Sequence, residues 1–140
     1  MSPARVSVMS GEMAFMTGGT KTDPECGDVY RVSPKMSANG DKHGSNGRLS
    51  GVVEISKRAV HMLTRTTHPD KGARTLESAK NDAIGLTKDG YWTDVNQRPV
   101  PRSALADEAL CRYLGRLPED EARALGSFWA TTLMLGRKNF

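Results

Sequence analysis

A chain of 140 residues with 37% hydrophobic side chains can bury one modest core, which excludes two comfortable domains. Its net charge of +4 suits an acidic protein, nucleic acid or an anionic membrane without choosing among them, while 6% aromatic content argues against a base-stacking platform for single strands. No apolar run is long enough for a signal peptide or a membrane span, and Cys26 and Cys111 stand alone in no metal-like spacing. The expectation is therefore an intracellular protein in a reducing compartment, cytoplasm or organelle matrix, not secreted, with neither metal nor cofactor.

In chain order, residues 1–50 hold seven Gly and seven Ser and are broken by Gly18-Gly19, Pro24, Pro34, Asn39-Gly40 and Asn46-Gly47. They read as an extended arm with one β-type stretch, Val29-Tyr30-Arg31-Val32. Ser50 can cap a helix from Gly51 to Thr67, in which Val52, Ile55, Ala59, Met62 and Leu63 recur at three- and four-residue steps. On that helix Lys57, His61 and Arg65, with Arg58 beside them, fall opposite the apolar stripe. Pro69 ends it. Thr75 starts a second helix with Leu76, Ala79, Ala83 and Leu86 on one face, stopped at Asp89-Gly90, so residues 51–90 read as an antiparallel helical hairpin with His68-Pro69-Asp70 at its tip.

Residues 91–102 read as a linker, because Pro99 and Pro101 forbid a helix there. Residues 103–140 then read as a helical pair. Ser103 starts the first, carrying Leu105, Ala109, Leu110, Tyr113 and Leu114. Pro118 followed by Glu119-Asp120-Glu121 starts the second, with an apolar face of Ala122, Leu125, Phe128, Trp129, Thr132 and Leu135. The expected fold class is mainly α.

Lys57-Arg58-Ala59, Leu63, Thr67-His68-Pro69-Asp70-Lys71 and, downstream, Asn81-Asp82-Ala83-Ile84 and Asp89 stand in a register that resembles the J-domain of DnaJ-type co-chaperones. The resemblance covers about residues 51–90. It implies a J-like helical hairpin and a partner, a DnaK-type chaperone ATPase, contacted by His68, Pro69 and Asp70 at the tip and by Lys57, Arg58, His61 and Arg65 on the basic helix. It implies no chemistry by the chain itself and no catalytic residue. The family's first helix is absent or reduced to Asp28-Val29-Tyr30-Arg31-Val32-Ser33-Pro34, which favours an alternative: a non-catalytic accessory subunit of a large protein assembly that keeps a degenerate J-like fold.

Two other classes compete with these. Nucleic-acid binding through the basic helix would show as a steep salt dependence. A nuclease-like set of Asp70, Glu77 and Lys80 is disfavoured, because Glu77-Ser78-Ala79-Lys80 is one residue too long and the ligand set lacks a second well-placed carboxylate.

Overall fold

The computed structural model describes residues 19–36 and 47–138. Within them the strands are β1 (Asp28–Val32), β2 (Arg48–Ile55), β3 (Ala59–Thr66), β4 (Thr75–Ser78), β5 (Gly90–Pro101) and β6 (Cys111–Arg116), followed by one helix, α1 (Glu119–Met134). All six strands join one sheet in the order β4-β5-β3-β2-β1-β6, and every neighbouring pair is antiparallel. Short 3-10 helices span Pro34–Met36, Asp82–Ile84 and Arg102–Ala106.

This corrects the expected mainly α, J-like fold. The helix expected over 51–67 is the hairpin β2–β3, closed where Ser56 accepts the Ala59 N–H on its hydroxyl and donates its own N–H to the Ala59 carbonyl. The helix expected over 75–89 is β4 and a 3-10 turn, and that over 103–115 is a 3-10 turn and β6. Both faces of the sheet are covered, so β3 buries Val60, His61, Met62, Leu63, Thr64 and Arg65 in succession. A strand buried on both sides loses the alternation that distinguishes strand from helix. The β-branched Val52-Val53 and Val60 also suit an extended backbone better than a helix.

The linker expected over 91–102 is the longest strand. β4 pairs with β5 only through Thr93, and β3 pairs with it from Ala59 to Thr66. Pro99 and Pro101 thus lie where β5 has no second strand beside it among the described residues, the edge setting in which proline is tolerated. Most of the arm expected over 1–50 lies outside the described residues, but its β-type stretch is β1.

Two apolar clusters hold the layers. On one face Val29, Leu63, Trp92, Leu125, Phe128 and Trp129 pack between sheet and helix. On the other Tyr30, Val32, Val52, Met62 and Val100 lie with Ala104 and Leu105 of a 3-10 turn. Helix α1 begins after Pro118 and carries three acids in its first turn, complementing the helix dipole, and buries Ala122, Leu125, Phe128, Trp129 and Thr132 at helical spacing. Its first turn lies so close to the sheet that a Cβ on Gly27, at φ +95°, would sit 2.5 Å from the Ala122 Cβ.

Candidate functional site

The register of β3 against β5 jumps from Leu63↔Gln97 to Thr64↔Thr93, which leaves Asp94, Val95 and Asn96 as a wide bulge on β5. The Thr64 hydroxyl donates to the Asn96 carbonyl and the Gln97 amide donates to the Asp94 carbonyl, so the bulge is pinned at both ends. It sends its two polar side chains to different places.

Asp94 joins the helix side. Its side chain is fully buried and accepts from Arg137 Nε at 2.8 Å and Nη2 at 3.2 Å, from the Arg74 backbone N–H at 3.2 Å and from Arg74 Nη1 at 3.4 Å, with the Thr132 hydroxyl also 3.4 Å away. Burial pushes this carboxyl up, but the hydrogen bonds from Arg137 and the Arg74 backbone outweigh it and hold it below its usual range. The Arg74 guanidinium lies 4.3 Å from the centre of the Phe128 ring. The result is a clasp tying the loop before β4, the bulge and the chain just after α1.

Beside the clasp, the His61 ring packs against Trp129 at a tilt of 46° with centroids 4.5 Å apart, and its Nε2 lies 3.1 Å from Gln97 Oε1. Burial pushes the imidazole down to about 4, against the hydrogen bond that Nε2 gives to Gln97. Trp129 Nε1 donates to Glu54 at 3.0 Å, and Lys138 Nζ pairs with the other Glu54 oxygen at 3.0 Å.

Asn96 turns to the opposite face. Directly opposed residues in an antiparallel pair share a face, and Ser50 opposes Thr64, which opposes Thr93, while the neighbouring Gly51 lies under Leu125 and Trp92 on the helix side. Arg48, Thr66 and Thr93 therefore belong to the face away from α1. There, with Asn96 and with His68 and Asp70 from the loop after β3, they line a cleft of about 390 Å³. Each of its described lining residues carries a polar group. Thr66 Oγ1 accepts the His68 N–H at 3.1 Å, and His68 Nδ1 engages the Thr67 hydroxyl at 2.9 Å. Thr93 is 2% exposed, and its hydroxyl has no hydrogen-bond partner among the described residues. Leaving a buried hydroxyl unpaired costs about 1–3 kcal/mol.

The expected basic face is dispersed. Lys57 and Arg58 are exposed in the β2–β3 turn, whereas His61 and Arg65 are buried. Arg65 donates Nε to the Ser78 hydroxyl at 2.8 Å and Nη2 to the carbonyls of Ser78 at 2.9 Å and Lys88 at 2.7 Å, so this guanidinium holds the end of β4 to the approach to β5. Burial pushes its pKa down. His68, Pro69 and Asp70 are exposed on the loop, and of these His68 and Asp70 reach the cleft.

Asp70 and Glu77 do not meet: Glu77 lines a separate cavity of about 660 Å³ with Asp89 and Glu121, and Lys80 pairs with Asp82 at 3.4 Å. Among the described residues no group of three or more His, Cys, Asp or Glu is placed to hold a metal ion. Arg48, Thr66, Thr93 and Asn96 escape sequence reasoning. The one signal that reaches the bulge is the polar break Thr93-Asp94-Val95-Asn96 after Tyr91-Trp92.

No protein-family model, curated protein or solved structure matches this chain. The resemblance to the J-domain family is corrected on that ground and on the fold, since a sheet stands where the helical hairpin was expected. The co-chaperone reading loses the scaffold on which it rested.

Proposed function

We propose that this protein is a non-catalytic subunit of a larger protein assembly, acting by contact rather than by chemistry of its own. The observation that carries the reading is the apolar end of α1. Leu133, Met134 and Leu135, three large apolar residues in succession, are 41%, 86% and 57% exposed. Large apolar side chains grouped on a surface mark a protein contact more often than isolated ones do. Their neighbours inside α1 are anchored by the sheet, so the patch is rigid and ready to dock. Two unpaired thiols, Cys26 and Cys111, support a reducing compartment as the place of work. Among the described residues no helix is long and apolar enough to cross a membrane.

The test is sedimentation of the tagged chain in extract from its native source. The wild type is expected in a high-mass complex, and the triple variant Leu133→Ser, Met134→Ser, Leu135→Ser at monomer mass with an unchanged circular dichroism spectrum. A wild-type chain that sediments as a monomer in extract would overturn the reading.

A further inference from the structure

We propose that the cleft beneath the His68-Pro69-Asp70 loop binds a small hydroxylated phosphate ester. This stands apart from the assembly reading, because the cleft lies on the face away from α1. A volume of about 390 Å³ falls in the ordinary range for small-molecule sites, roughly 300–1,000 Å³, and the described lining carries no aliphatic side chain to receive an apolar group.

The donors suit an oxyanion. Arg48 brings a guanidinium with five N–H donors, enough to meet a phosphate oxygen beside the contact it makes within the protein. Thr66 already accepts the His68 N–H, so its own O–H is free to donate. The His68 ring uses Nδ1 toward Thr67, which leaves Nε2 for a ligand. Thr93 adds a buried hydroxyl with no partner among the described residues, and Asn96 adds an amide. A ligand oxygen placed between Thr66 and Thr93 would complete the hydrogen bonding of that hydroxyl.

Asp70 narrows the class. A carboxylate on the same cleft repels a bare dianion, so the ligand must also present a donor to it. A hydroxyl on the carbon skeleton of a phosphate ester does this, with the phosphate at Arg48 and the hydroxyl at Asp70. Inorganic phosphate has the anionic group without the skeleton.

The experiment is an NMR titration of the full chain with glycerol 3-phosphate, inorganic phosphate and, at matched ionic strength, sodium chloride. Glycerol 3-phosphate is expected to shift the amides of Thr66, His68, Thr93 and Asn96 saturably and to bind ~10-fold tighter than inorganic phosphate, the gain of one charge-assisted hydrogen bond. Asp70→Asn should erase that preference, and Arg48→Met should abolish binding of both. Thr93→Val, which keeps the shape of the side chain, should weaken binding by ~10-fold and serves as the deciding variant if Arg48→Met does not fold. Shifts no larger than those from chloride, or an affinity unchanged in Thr93→Val, would sink the proposal.

Discussion

Asp94 and Asn96 leave one bulge, and the sites they enter differ in a way that separates scaffold from binding surface. Asp94 is surrounded by Arg74, Arg137 and Thr132, and its buried charge is answered from several sides. Asn96 opens on a cleft where the buried Thr93 hydroxyl has no partner among the described residues. A polar group completed within the fold holds chain segments together. One left incomplete beside open volume is placed for something from outside. The bulge makes both because its extra residues point to opposite faces of the sheet.

That contrast is open to attack from either side. On the closed side, Asp94→Ala leaves two guanidiniums without their carboxylate, but these are 26% and 39% exposed and can be hydrated, so chemical denaturation should show a loss of about 1.5–3 kcal/mol, the range for hydrogen bonds to a charged group. A loss below 1 kcal/mol would show that the clasp is decorative.

The same side should also respond to acid. His61 titrates near 4 in the fold and, when unfolded, near its ordinary value of roughly 6.5, so the unfolded chain binds the extra proton between these values. Stability is therefore full above about pH 6.5 and falls as the pH drops toward 4, by up to about 3 kcal/mol. Glu54 and Asp94, both held below their usual range, begin to lose their contribution as the pH nears their ordinary values, at the acid end of this window, and go on losing it below. His61→Phe, which keeps an aromatic ring against Trp129, should flatten the melting temperature across pH 4–6.5. An unchanged slope in that variant would assign the effect elsewhere.

The open side should hardly notice substitution. Thr93→Val replaces an unpaired buried hydroxyl with a methyl of similar shape, and its stability should stay within about 0.5 kcal/mol of wild type or rise. A loss of more than 1 kcal/mol would mean that Thr93 belongs to the scaffold after all.

What the sequence disclosed follows the same division. Helix α1 was legible because Pro118, the acids at 119–121 and the spacing of Ala122, Leu125, Phe128, Trp129 and Thr132 all agree, although Leu135, expected on the same face, lies exposed just past the helix, and β1 because Val29-Tyr30-Arg31-Val32 is bounded by turn residues. The central hairpin was not. Two-sided burial of β3 gives it apolar residues at helical as well as strand spacing, and Ser56-Lys57-Arg58-Ala59 turns without Gly, Asn or Pro to announce it. The J-like register drew on the same ambiguity: Leu63 is core, Arg65 is a buried brace, and Lys57-Arg58 and His68-Pro69-Asp70 are exposed in two separate turns. Of the cleft, His68 and Asp70 were singled out for a different reason. Thr93 and Asn96 depend on a register jump that no local pattern encodes.

Pro99 and Pro101 have an effect beyond being tolerated in β5. A long strand with one open side ordinarily offers a ladder of N–H groups on which another chain can polymerise. Proline has no such group to offer, so this stretch of β5 is a poor template for strand addition. The longest strand among the described residues thus carries its own safeguard against aggregation, and association is directed toward side-chain surfaces such as the end of α1.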